Sequence, residues 1–414
     1  MRRKKAGRPR WFAFTVVLLL TAAVCAGLWY FLRPIPAGPL RLARTDFDTL
    51  PGWRASDAPA ALAALRRSCL VVLRLPPDHP MGGAGYAGVA RDWRDVCLHS
   101  ARAKADPRSA RSWFENWFTP YRLYAGSQGE ALFTGYYEPE IRASRTRHGP
   151  YTAPVYGLPH DLVTADLGLF RSEFSGIHLV GRVADQRFEP LQTRAQIDAS
   201  GLNDAAVLLY ASDPISVFFL HIQGSGRARF EDGAMIRLAY AGQNGRAYIP
   251  IGRTLIQQGD LDRAHMSMQA IRAWLESHPD AARQTMESDE SYVFFRELPL
   301  GDPTLGSPGS EGVPLTPQTS IAVDPSFQAL GVPMFVVADA PAADPGRPPR
   351  RFAQLCIAQD TGGAIKGGLR VDIFWGFGTQ AEAIAGRMKS TGSLYVLLPK
   401  AVAHQLPLRF LETS

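Results

Sequence analysis

The chain has 414 residues, 46% of them hydrophobic and 20% charged, with four cysteines and a formal net charge of +7. That length holds about two or three domains with a sizeable core, and the ordinary apolar content excludes a disordered chain and a polytopic membrane protein. Arg2, Arg3, Lys4, Lys5, Arg8 and Arg10 crowd the positive charge into the first ten residues, so the body is near neutral and lacks the footprint of a nucleic-acid binder.

Residues 1–10 read as a basic cytoplasmic tail ahead of an uncharged run, WFAFTVVLLLTAAVCAGLWYFL, from Trp11 to Leu32. At about 1.5 Å per residue the run spans the roughly 30 Å of a bilayer core, and its terminal aromatics match an interfacial belt. It is long for a cleavable signal, and no A-x-A site follows closely. The TAAV before Cys25 lacks the leucine and the small final residue of a lipoprotein signal. The sequence predicts an uncleaved transmembrane helix in the cytoplasmic (inner) membrane with the body in the periplasm; an outer-membrane lipoprotein is the alternative.

Residues 33–57, containing RPIPAGPLRLART, read as a linker, and helical patterns follow from about Ala58 to Tyr121. Export would let Cys69 and Cys97 form a disulfide, with two buried thiols as the alternative. EALFTGYYEPEI reads as a strand stopped by Pro139, and the turn-rich residues from Arg142 to Pro150 as a boundary. SVFFLHIQGSGRARF and AMIRLAYAG read as strands about a turn at Asp232-Gly233. LDRAHMSMQAIRAWLESH places Ala264, Met268, Ile271 and Leu275 on one helical stripe, and SYVFFREL returns to strand. LGDPTLGSPGSEGVPLTP marks a second boundary. SIAVDP, PMFVVAD, RFAQLCIAQD, LRVDIFWGF and SLYVLLP are short apolar runs interrupted by a helix at about Gln380 to Lys389, the pattern of a small barrel with Cys356 in its core.

Motifs for zinc proteases, phosphate-binding loops and serine-hydrolase elbows are missing, and the nine histidines show no ligand spacing, so neither a metal nor a cofactor is expected. Carboxylate chemistry remains. Asp324, Asp360 and Asp372 each end or interrupt an apolar run. In LRVDIFW, alternation puts Val371 and Ile373 on one face and Asp372 on the other with Arg370 and Phe374. A carboxyl flanked by apolar residues is partly desolvated, which raises its pKa and suits a general acid. Asp324, before Pro325, reads as a turn residue, and Asp360, before Thr361-Gly362-Gly363, fits a turn or a site equally. Tyr136 and Tyr137 suit stacking on sugar rings, and Gln223 and Ser225 suit hydrogen bonds to hydroxyls.

Seven stretches occur in order between about Glu130 and Pro399: FTGYYEPE, FFLHIQGSGR, YAGQNGRAYIPIGR, MSMQAIRAWL, SYVFFRE, VPLTPQTSIAVDP and QDTGGAIKGGLRVDIFWGFG. Together they resemble the membrane-bound lytic transglycosylase A (MltA) family, with a C-terminal three-aspartate module. The resemblance implies a mainly β protein with some α: a double-psi β-barrel with an inserted, mostly β domain across a groove. On that division residues 58–141 are a helical part with the first barrel strand, 142–311 the inserted glycan-binding domain, 312–402 the catalytic module and 403–414 a tail. It also implies cleavage of the β-1,4 bond from N-acetylmuramic acid to N-acetylglucosamine, leaving 1,6-anhydro ends. Asp372 is then the acid/base and Asp360 its catalytic neighbour, supported by Asp324 and Lys366. Thr134, Tyr136, Tyr137, Gln223, Gly224, Ser225, Gly226, Gly362 and Gly363 line the groove. The implied partner is the peptidoglycan glycan strand, with cell-wall proteins open. A water-using muramidase and a non-catalytic glycan-binding barrel are the rival functions.

Overall fold

A computed structural model describes residues 39–174, 177–202 and 205–411. Three strands come first in the chain, β1 (Leu40–Arg44), β2 (Phe118–Ala125) and β3 (Ala131–Glu138). Then come β4 (Glu140–Ser144), β5 (Ala153–Tyr156), β6 (Val163–Asp166), β7 (His178–Ala184), β8 (Arg187–Glu189), β9 (Val207–Ala211), β10 (Gly226–Phe230), β11 (Met235–Gln243) and β12 (Val293–Pro299). The last five are β13 (Ser320–Val323), β14 (Pro333–Ala340), β15 (Arg350–Thr361), β16 (Arg370–Phe377) and β17 (Lys389–Pro399).

The main sheet runs β1-β2-β17-β14-β15-β13-β16-β3 and closes on itself through a further β17–β3 pairing. Six of its strands, β3 and β13 to β17, therefore form a barrel. β17 is long enough to serve twice: Lys389 to Gly392 pair with β3, and Tyr395 to Pro399 pair with β2 outside the closed ring. Buried runs such as Pro333–Ala338 and Leu355–Ala358 fill the barrel and meet the helices packed outside it, so both faces of these strands are dry. The Ala58–Val72 helix, capped by Asp57 on the Ala60 amide, packs on β15. A Cys69–Cys97 disulfide, with a Cα separation of 5.1 Å, ties it to the Arg91–Ser100 helix. Cys356 is a free, buried thiol.

β3 and β4 are nearly continuous in sequence but lie in different sheets. At Pro139 the chain leaves the barrel and enters a six-stranded sheet ordered β12-β11-β10-β4-β9-β5; it re-enters the barrel at Ser320. β6, β7 and β8 make a separate small sheet. Glu138 sits fully buried at the crossing, paired with Arg227 at 3.0 Å and Arg237 at 3.7 Å. Arg227 also donates to the carbonyls of Pro303 and Leu305, on the returning segment. A buried carboxylate is tolerated only when paired and hydrogen-bonded in this way.

Several expected elements differ. Residues 33–57, expected as a linker, contain β1, and the helical stretch expected to reach Tyr121 gives way to β2 at Phe118. Both join the main sheet outside the closed ring, of which β3 is the first strand in the chain. Pro214–Gln223 is a helix, not a strand: Asp213 caps the amides of Ile215 and Ser216, Pro214 stands in the first turn, and Gly224 at φ 75° ends it. Val217 to His221 are all buried, so this helix carries no polar stripe to betray its period. The helix expected from Leu261 begins at Met268, capped by Ser267. The expected tail packs back: Phe410 is buried and Leu411 bridges to Leu42. Among the described residues no helix is long and apolar enough to cross a membrane; the expected span Trp11–Leu32 lies outside them.

Candidate active site

Strand register assembles the site. Ala322 of β13 pairs on one side with Asp360 of β15 and on the other with Asp372 of β16. Asp372 in turn pairs with Thr134 of β3. Directly opposed residues share a face, so Asp360, Ala322, Asp372 and Thr134 form one row across four strands. The backbones of the two aspartates are two strand spacings apart, roughly 10 Å. Val371 and Ile373, the neighbours of Asp372, point the other way and are fully buried in the barrel.

The two carboxylates have different surroundings. Asp360 is held by four donors: the Ser310 amide and hydroxyl and the Thr361 amide on Oδ1, each at 2.9 Å, and the Tyr136 hydroxyl on Oδ2 at 2.9 Å. The Tyr136 ring packs on Phe374 with centroids 5.2 Å apart, which fixes its hydroxyl. Gly309 lets the Ser310 strap lie on β15, since a Cβ there would stand 2.5 Å from the Gln359 carbonyl oxygen. Asp372 has a single such bond, from Thr134 Oγ1 to Oδ1 at 2.7 Å.

Burial pushes the Asp372 carboxyl up to about 6; the Thr134 hydrogen bond and the Arg370 guanidinium pull it down, and Asp360 pushes it further up. Asp360 is also raised by burial, against the pull of its donors. One carboxylate is thus saturated with hydrogen bonds and immobile. The other has a single hydrogen bond and keeps its proton to a higher pH than an ordinary carboxyl.

Asp324 does not join the row. Its Oδ1 accepts from the Ser326 amide and its Oδ2 from the Gly367 amide at 2.7 Å, so it ties the β13 exit to the glycine loop before β16. Lys366 is exposed in that loop, and Gly363 is open to solvent while Gly362 packs on Ile365. Gln223 accepts from the Tyr137 amide at 3.1 Å, which brings the Gln223–Gly226 stretch against β3. Gly226 leaves no room for a side chain beside Leu220 and Pro139, and Gly224 and Ser225 are half-buried. Tyr137 is a correction: it is 3% exposed and packed into the main hydrophobic core, so it offers no face to a sugar. Ser310 escaped sequence reasoning because it sits in a Gly/Pro passage that looks like a plain boundary. Among the described residues no group of three His, Cys, Asp or Glu side chains could hold a metal ion. Two open cavities, of about 460 and 250 Å³, lie on the second sheet around Phe230 and Ser212, and no residue of the row lines either.

Comparison with known proteins matches this layout. Residues 132–296 match the family model described as the MltA specific insert domain, and residues 319–398 match the 3D domain. Membrane-bound lytic murein transglycosylase A of Escherichia coli K12 is 35% identical over 279 residues, covering 66% of this chain and 67% of that one. The chain belongs to the MltA family. The crystal structure of the membrane-bound lytic murein transglycosylase from Agrobacterium tumefaciens superposes with a TM-score of 0.76 at 31% identity. That match covers 89% of this chain and all of the other. Escherichia coli MltA with bound chitohexaose gives a TM-score of 0.61 at 28% identity, covering 88% of this chain and 95% of that one. In this MltA family member the row lies where both matched models meet, since Thr134 falls in the first and Asp360 and Asp372 in the second.

Proposed function

We propose that this protein is a lytic transglycosylase of peptidoglycan that cuts the bond from N-acetylmuramic acid to N-acetylglucosamine without water, with Asp372 as its single acid/base. The observation that carries this assignment is the strand register that sets Asp372, with one hydrogen bond and a carboxyl raised by burial, in line with a second carboxylate that is fully engaged. Protonated Asp372 gives its proton to the glycosidic oxygen as the bond to C1 of the muramoyl sugar breaks. The resulting carboxylate then takes the proton of that sugar's own 6-hydroxyl as O6 bonds to C1. The proton count closes, and a 1,6-anhydro ring results.

A retaining hydrolase needs a nucleophilic carboxylate, and an inverting one needs a base that activates water. Asp360 suits neither role, because four donors hold both of its oxygens. The internal route needs neither: a tethered hydroxyl has an effective molarity of about 10⁵ M or more. Asp360 lies beside the developing oxocarbenium and raises the Asp372 pKa, which keeps that acid protonated for the first step. Asp324 and Lys366 support the glycine loop. Thr134, Tyr136, the Gln223–Gly226 stretch, Gly362 and Gly363 border the groove, and an Escherichia coli relative with bound chitohexaose supports a glycan as the ligand.

On the same reading the barrel is of the double-psi type, the sheets between Arg142 and Glu311 form the glycan-binding insert, and Trp11–Leu32 anchors the body in the periplasm. Digestion of purified murein followed by mass spectrometry tests the activity. Anhydromuramoyl ends are expected; intact murein would overturn the enzyme, and reducing ends would make it a muramidase.

A further inference from the structure

The catalytic row does not stop at Thr134. β17 lies beyond β3, and its first residue, Lys389, pairs directly with Thr134. The row is therefore Asp360, Ala322, Asp372, Thr134, Lys389, one residue from each of five adjacent strands. Lys389 shares the face of Asp372. Its backbone is two strand spacings from that of Asp372, roughly 10 Å, on the side opposite Asp360.

Its state differs from that of its cationic neighbours. Arg370 spends its guanidinium on the Leu132 and Val371 carbonyls, and Arg387 on the carbonyls of Ala342, Ala343 and Ala383. Lys389 is exposed, while Met388 before it is buried, which fixes the side chain outward. No described carboxylate pairs with it: Asp339, on the next strand, is matched with Arg351. The charges that bear on Asp372 are Arg370 and Asp360. An exposed ammonium in line with the acid, and engaged by none of the described residues, is placed for an anion on the substrate.

We propose that Lys389 recognises a carboxylate of the glycan strand beside the bond that Asp372 cleaves. This rests on the peptidoglycan reading above. Each muramoyl sugar carries a lactyl group, which ends in a free carboxylate on stripped strands and in a carboxylate-bearing peptide on native ones. A compact ammonium on a flexible stem suits such a point charge.

The test compares wild type, Lys389→Met and Lys389→Arg on three glycan preparations: peptide-bearing strands, strands stripped to the free lactyl carboxylate, and stripped strands blocked as methylamides. Kd and kcat/KM are both measured. Lys389→Met should weaken binding of carboxylate-bearing strands about three- to tenfold, as expected for a partly exposed charge-assisted contact. kcat should hold, since the contact is made equally before and during reaction. The loss should shrink at high salt, Lys389→Arg should recover most of it, and the methylamide strands should bind both proteins alike. A loss confined to stripped strands assigns the lactyl carboxylate, and one confined to native strands assigns the peptide. Equal binding of both charged preparations by wild type and Lys389→Met, or the same loss on blocked strands, overturns the proposal. Lys389-dependent binding by a wild-type protein that cuts nothing would support this site and refute the transglycosylase reading instead.

Discussion

Replacing Thr134 by valine keeps the shape of the side chain and removes the hydroxyl that donates to Asp372 at 2.7 Å. That bond stabilises the carboxylate, and it is the first of the effects that hold the group down against burial. A hydrogen bond to a charged group is worth about 1.5–3 kcal/mol, and 1.36 kcal/mol corresponds to one pH unit, so its loss should raise the Asp372 pKa by about one to two pH units. Asp372 and Thr134 are half-buried rather than fully enclosed, which favours the lower figure. The first step needs the protonated acid, so activity falls as pH rises past the Asp372 pKa, about 6 in the wild type. In Thr134→Val the alkaline limb of kcat/KM should move up by about one pH unit, and Thr134→Ser should move it back. The assay is release of anhydromuropeptides from purified murein between pH 4.5 and 9, resolved by liquid chromatography. A limb that stays in place, or moves down, would refute the assignment of Asp372 as the acid.

Asp372→Asn should lower turnover by at least about 10²–10⁴ with glycan binding retained, because one group serves both steps. The same variant should be more stable than wild type at pH 7.5. The folded pKa of Asp372 lies above its unfolded value, so wild-type stability falls as pH rises from about 4 through 6, and an unfolding midpoint lower in the variant at pH 7.5 would contradict this. Tyr136→Phe removes one donor from Asp360 while the ring stays on Phe374, so kcat should fall about tenfold with Kd unchanged; an unaltered kcat would count against Asp360. The double change Cys69→Ala, Cys97→Ala opens a link across a sequence separation of 28, which should cost about 3–4 kcal/mol in denaturant unfolding, and an unmoved midpoint would show the link idle.

What the sequence revealed follows how local each determinant is. The barrel strands from Ser320 to Pro399 are apolar runs broken by turn residues, and period-2 alternation separates Asp372 from Val371 and Ile373. The same alternation separates Thr134 and Tyr136 from Phe133 and Tyr137, and it argues against grouping both tyrosines at a sugar face. The Pro214–Gln223 helix was hidden because burial on all sides erases its stripe, although Asp213-Pro214 marks its start. β2 was hidden because it follows a helix directly, contains Pro120 and has no glycine before it. The row itself was not legible. It depends on register between segments more than two hundred residues apart, and on β17 turning back to close the ring on β3. No local pattern encodes that Ala322 would stand between two aspartates, or that a serine in a Gly/Pro strap would hold one of them.

The most direct measurement is digestion of purified murein in water enriched in oxygen-18, with every new glycan end weighed by mass spectrometry. Internal attack by the 6-hydroxyl predicts 1,6-anhydromuramoyl ends at natural oxygen mass, formed by wild type and lost in Asp372→Asn. Reducing ends carrying oxygen-18, or anhydro ends formed at an undiminished rate by Asp372→Asn, would contradict it.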